Sequence, residues 1–156
     1  MTKPLNAELL RSTFQLVTER EPAITGRFYE ILFERYPQVR PLFGGNSARA
    51  QQEMLQGALV AVIEHLEDTN WLASTLAALG RKHVAYGVTR EMFDWVGEAL
   101  LATLAEVAKD AWNHEVAQAW QDAYEAIRDL MLVGMVIEVP PIESASAVIT
   151  AAVQSP

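Results

Sequence analysis

Apolar residues recur along this chain at three- and four-residue intervals nearly from end to end, and no stretch alternates with the period of a strand. Breakers cut the helical pattern into segments. Asn6 is a good N-cap for a first helix running to about Arg20. Pro22 suits the first position of a second helix, which carries Ile24, Phe28, Ile31, Leu32 and Phe33 and is broken at Tyr36-Pro37. A short turn to Phe43 and the turn formers Gly44, Gly45, Asn46 and Ser47 come next. A helix over about 48–66 then presents Gln51, Leu55, Ala58, Leu59, Val62 and Leu66 on one face. Past Asp68-Thr69-Asn70, another carries Leu72, Leu76, Leu79, His83 and Tyr86, with Gly87 suited to its C-terminus and Thr89 to the next start. Two long helices, about 90–109 and 112–138, end at Pro140-Pro141, which removes donors and clashes with the preceding turn. The pattern predicts an all-α domain of six or seven helices over residues 1–138 and a C-terminal tail, 139–156, without strong periodicity.

The 156 residues suffice for one domain with a buried core. A net charge of −8 argues against nucleic acid, where cations must displace counterions, and against anionic membrane surfaces. With no cysteine there is no disulfide, thiolate zinc site, iron–sulfur cluster or cysteine nucleophile. The N-terminus lacks the apolar run of a secretory signal, and the longest apolar patch, Leu130 to Ile137, is too short to span a bilayer. A cytoplasmic protein is the expectation, as a monomer or, given four tryptophans and an apolar last helix, a homodimer.

Of the three histidines, His65 and His114 sit beside acidic residues, off the apolar stripes, and read as solvated. His83 lies within a stripe. By itself that fits a buried histidine satisfied by hydrogen bonds, but a neutral imidazole is also a good iron ligand when its other nitrogen finds an acceptor. The carbonyl of Leu79, four residues earlier, is the natural one. One histidine without thiolates would leave a bare metal ion under-coordinated, whereas a porphyrin brings four nitrogens of its own. If His83 binds metal, haem is the economical choice.

The stretch from Leu76 to Val88 resembles the proximal helix of a globin. The stretch from Phe28 to Pro37, followed by Val39-Arg40-Pro41-Leu42-Phe43, resembles the segment leading into the globin haem pocket. The likeness covers about residues 5–138 and is greatest to bacterial single-domain globins and the globin part of flavohaemoglobins. It implies a globin fold around haem b, with His83 as the iron ligand and Phe43 on the haem face. Tyr29, Gln51 and Leu55 would face the distal side; a one-residue slip would put Gln52 in place of Gln51, but Gln51 shares the face of Leu55. Leu42, Val88, Phe93, Val96, Leu100 and Tyr124 would line the pocket, and Lys82, Arg49 or Arg81 could reach the haem propionates, a solvated role being equally open to each. The distal helix has no histidine near Gln51, so the iron should be five-coordinate with an open or weakly filled sixth site.

Oxygen on ferrous iron takes on partial superoxide character, which a donor from Tyr29 or Gln51 would stabilise by about 1.5–3 kcal/mol. The expectation is reversible binding of oxygen, nitric oxide or carbon monoxide, for storage, transport or scavenging. Two alternatives stay open: nitric oxide dioxygenation with a separate reductase, and gas sensing through a partner. The resemblance stops short of the reductase modules of flavohaemoglobins, which would need roughly 250 further residues. It departs also at the proximal side, where the family's tyrosine and glutamate correspond to Phe93 and Met135. Neither can carry negative charge, so His83 should donate less to the iron, favouring binding over oxidative chemistry.

Overall fold

The computed structural model describes residues 5–43 and 47–136, which form six α-helices and no strand. Helix α1 spans Ala7–Arg20, α2 Ile24–Arg35, α3 Ala48–Glu64, α4 Thr69–Ala85, α5 Arg90–Ala108 and α6 His114–Val136. Short 3-10 helices, Pro37–Phe43 and Lys109–Ala111, join α2 to α3 and α5 to α6. The all-α expectation holds. The loop residues 44–46, the end of the last helix past Val136, Pro140-Pro141 and the expected tail 139–156 lie outside the described residues. No helix among the described residues is long and apolar enough to cross a membrane.

Side-chain caps explain most of the starts. Asn6 accepts from the Leu9 amide at 3.1 Å, Ser47 from Ala50 at 3.1 Å, Asp68 from Trp71 at 3.1 Å and Asn113 from Val116 at 2.9 Å. Helix α2 departs from expectation, because Pro22 is not its first residue. The Glu21 carboxylate accepts from the Ala23 amide at 3.0 Å and the Glu21 carbonyl from Ile24, so residues 21–24 form a turn and the helix opens at Ile24. Helix α3 stops at Glu64 rather than Leu66, because the His65 amide turns back to the Val62 carbonyl at 3.1 Å.

Two apolar clusters flank an internal cavity. The larger joins α1, α3, α4, α5 and α6 through Leu10, Val17, Val62, Leu76, Leu104 and Trp120. The smaller packs α2 against α5 through Phe28, Tyr29, Leu32, Val39 and Ala99. Helix α4 makes its most extensive contact with α6, and glycines permit the closeness. A methyl group on Gly80 would overlap the Met131 carbonyl, and one on Gly134 would overlap the Ala77 carbonyl. Each backbone thus fills the place of a side chain on the other, a turn before His83.

At the end of α5, Arg20 donates to the Ala108 carbonyl at 2.7 Å, satisfying a group the helix leaves open. The next residue, Lys109, has φ 53° and ψ −120°, a conformation that crowds a Cβ and suits glycine. Lys109→Gly is expected to stabilise the protein by about 1 kcal/mol, read as a higher urea midpoint. Gly134→Ala should destabilise it by about 1–3 kcal/mol or more, since neither backbone at the crossing can give way without moving its helix.

Candidate functional site

One cavity gathers residues from all six α-helices, and nearly all the site residues expected from the sequence stand in its wall. They are Tyr29, Leu42, Phe43, Gln51, Leu55, His83, Val88, Phe93, Val96, Leu100 and Tyr124. Lys82 is the exception: it is exposed and outside the wall. Arg49 is exposed as well and paired with Glu53 one turn on, at 3.1 Å.

Tyr29 and Gln51 form one side. Both are buried, and Gln51 Nε2 donates to the Tyr29 hydroxyl oxygen at 3.3 Å. In this arrangement the Tyr29 proton has no acceptor among the described groups, and Gln51 Oε1 is buried without a partner. Exchanging the amide ends, which place atoms of similar size, would let Tyr29 donate to Oε1 and leave N–H groups unsatisfied instead. In either orientation the pair retains a donor for a ligand. Three rings fix the phenol: Phe28 at 5.0 Å, Phe33 at 5.7 Å and Phe43 at 5.5 Å between centroids. Burial pushes its pKa up to about 12, with the Gln51 bond opposing the rise. The neighbouring Gln52 lies elsewhere, its amide over Gly26, so that Gln51 and not Gln52 shares the cavity wall with Tyr29.

His83 forms the other side. Its Nδ1 bonds the Leu79 carbonyl at 2.8 Å. Burial lowers its pKa, outweighing that bond, so the ring is held neutral with Nδ1 protonated and Nε2 left as a lone-pair donor. The helix ends just beyond it in a paired backbone motif. The Val88 amide returns to the His83 carbonyl at 3.2 Å and the Gly87 amide to Val84 at 3.1 Å, with Gly87 at φ 85°. That reversal turns Val88 into the cavity wall.

Tyr86 and Phe93 pack near the imidazole, at 5.7 and 6.2 Å between ring centroids. The Tyr124 hydroxyl donates to the Phe93 carbonyl, and its ring lies where a side chain on Gly97 would be. Met135, expected beside His83, is half-buried but not in the wall. Sequence reasoning missed two wall residues of chemical interest. Tyr86 was legible only as a stripe residue. Arg128, the one cationic side chain in the described wall, lies one turn beyond Tyr124 and is held by Asp94 at 3.2 Å and Asp129 at 3.1 Å. The reading of His65 as solvated needs correction too. It is half-buried, its Nδ1 lies 2.7 Å from the Ala61 carbonyl, and its ring stacks on Trp71 at 3.9 Å. His114 is exposed, as expected.

A haem fits this donor set. One neutral imidazole with its second nitrogen anchored faces a largely apolar space, and the Tyr29–Gln51 pair keeps an unpaired donor. Among the described residues no group of three or more His, Asp or Glu could hold a bare metal ion. The protein thus offers a single ligand, which suits a metal that brings the others with it.

Comparison with known proteins agrees. The globin family model matches residues 26–131. The chain is 33% identical over 134 residues to a flavohemoprotein of Bordetella pertussis, covering 85% of this chain and 33% of that protein. It is 30% identical over 126 residues to a flavohemoprotein of Chromobacterium violaceum, 80% of this chain and 31% of that one. An uncharacterized globin-like protein of Aquifex aeolicus is 32% identical over 124 residues, 80% of this chain and 87% of the other. The chain therefore spans about a third of the length of the flavohemoproteins it matches.

The raised Tyr29 pKa has a consequence for stability. The folded protein keeps the phenol proton up to about pH 12, while the unfolded chain loses it near the ordinary value of 10.0. The contribution is therefore complete below that ordinary value and is lost as pH rises through the folded one. Urea unfolding of the apoprotein should show stability falling across this alkaline window. Tyr29→Phe should remove up to about 3 kcal/mol of that fall, and an unchanged slope would deny Tyr29 its buried position.

Proposed function

The chain belongs to the globin family of haem-binding proteins, and from that premise we propose that it reversibly binds oxygen and other diatomic gases at a five-coordinate haem b iron held by His83. Storage, transport or scavenging of the gas is the role. Bound haem would supply four pyrrole nitrogens and an iron whose sixth position accepts a gas molecule. The rest of the chemistry belongs to the chain.

The observation that carries this reading is the buried Tyr29–Gln51 pair, 3.3 Å apart, in the same cavity as His83. A gas that draws electron density on binding is stabilised by a charge-assisted bond from this pair, worth about 1.5–3 kcal/mol. Carbon monoxide polarises less and gains less. Phe43, Leu55 and Leu100 exclude water, so the donor acts in a medium of low dielectric. On the other side, His83 bonds the Leu79 carbonyl, and the ring nearest it on α5 is the apolar Phe93. Among the described residues no carboxylate bonds its ring, which supports reversible binding over oxidative turnover.

The likeness to flavohemoproteins favours a second reading, nitric oxide dioxygenation with electrons from a separate reductase. The same distal pair would serve. The two differ in turnover: sustained nitric oxide consumption with a reductase marks the enzyme, and a single stoichiometric event marks the binder.

Absorption spectra of the purified protein, oxidised, reduced, and reduced under oxygen and carbon monoxide, test the proposal. A haem spectrum with a stable oxygenated form, lost in His83→Ala, is expected. A colourless protein that fails to take up haemin would overturn the reading. Tyr29→Phe should speed oxygen release tenfold to hundredfold, about the loss of one charge-assisted bond, and change carbon monoxide release much less. An unaltered oxygen off-rate would remove Tyr29 from this role.

A further inference from the structure

The chain has four tyrosines, and their hydroxyls differ in what stands ready to take a proton. At neutral pH a phenol gives up an electron readily only if its proton leaves at the same time. A neighbouring base therefore decides which tyrosine is oxidised. Tyr29 meets an amide, the side chain of Gln51, and Tyr124 meets the Phe93 carbonyl. Neither partner is a base at that pH. The Tyr36 hydroxyl instead donates to Glu98 Oε2, and among the described residues it is the one tyrosine hydroxyl that bonds a carboxylate.

Local structure builds this arrangement. Tyr36 follows the last residue of α2, where its amide returns to the Leu32 carbonyl at 2.8 Å. Trp95 and Glu98 are three residues apart on α5 and share a face of that helix. The Trp95 indole stacks on the Tyr36 ring, with centroids 4.9 Å apart and planes 8° from parallel. Arg35 bonds the other carboxylate oxygen, Oε1, at 2.8 Å and fixes where Glu98 points. The bond from Tyr36 to Glu98 raises the phenol's pKa above its ordinary value, so at neutral pH the proton is in place to move. Both rings are half-buried with Glu98 exposed beside them, within reach of small solutes. They pack on the smaller apolar cluster together with the cavity-wall residues Phe43, Met92 and Val96.

We propose that Tyr36, with Trp95 stacked on it and Glu98 as its base, is the site from which this protein yields an electron to one-electron oxidants such as nitrogen dioxide or the carbonate radical. The oxidant is reduced, to nitrite or carbonate. The phenol O–H bond breaks, its proton passes to Glu98, and a neutral tyrosyl radical remains. A small reductant of the ascorbate class returns the electron, and the proton comes back from Glu98. Trp95 loses an electron without first losing a proton, so it takes up oxidation that arrives at its own edge and passes it to Tyr36. Drawing oxidation to this surface spares Tyr29 and Trp120 in the cavity wall. The proposal goes beyond the gas-binding reading and stands independently of it.

The test uses the protein as purified, with ruthenium(III) tris(bipyridine), generated by a light flash in the presence of a cobalt(III) acceptor, as the oxidant. Freeze-quenched electron paramagnetic resonance should show a tyrosyl radical. Tyr36→Phe, which keeps the stacked ring, should abolish it and leave a tryptophanyl radical instead. Adding Trp95→Phe should remove most of that signal too. Glu98→Gln should slow tyrosyl formation about a hundredfold, the loss of a positioned base. Its remaining rate should rise with phosphate concentration, because the proton then needs an acceptor from solution, whereas the wild-type rate should be indifferent to buffer. Circular dichroism checks that each variant is folded. A tyrosyl signal that survives Tyr36→Phe overturns the proposal, as does a buffer-independent rate in Glu98→Gln. A wild-type rate that rises with phosphate does so without any substitution.

Discussion

The closeness of α4 to α6 is the constraint on which the site depends. Where Gly80 and Gly134 meet the opposing backbone, no side chain intervenes, and the two helices can neither slide nor separate without losing packed surface. His83 lies one turn past that crossing and inherits its position. The bond from Nδ1 to the Leu79 carbonyl then sets the ring's rotation, and the backbone reversal at Gly87 sets where α4 ends. Translation, rotation and termination of the His83-bearing helix are thus each assigned to a separate local device. The opposite side of the cavity is built otherwise: Tyr29 and Gln51 come from different helices and are held by rings and by each other.

Much of this was legible from the pattern of residues. Asn6 and Thr89 stand at helix starts, Gly87 past a helix end, and the stripe Leu72, Leu76 and Leu79 is buried along α4. Those features are local, and local chemistry is what a sequence states most directly. The histidine and the distal pair were found through a family likeness, since composition alone left His83 as an ordinary core residue. That likeness now has support from the family model and from relatives of about the same identity in different bacteria.

What escaped the sequence was set by contacts between distant segments. Pro22 is as well suited to a turn as to a first helical position, and the Glu21 side chain decided between them. His65 looked solvated because its chain neighbours are acidic, yet Trp71 from the following helix covers one face of its ring. Arg128 reads as a surface residue until Asp94, from α5, holds it against the cavity. Gly80, Gly97 and Gly134 carry no pattern that distinguishes them from glycines of no consequence; only the opposing carbonyls and the Tyr124 ring show what they permit.

Trp120, buried and in the wall of the same cavity as His83, gives the protein an optical reporter of its own. An indole there lies within a few ångströms of whatever fills the space. A chromophore absorbing where tryptophan emits would take up its excitation before a photon could leave. Emission from this residue therefore counts the molecules whose cavity is empty. The fraction of loaded protein becomes readable in a mixed sample without separating the two forms and without any added label.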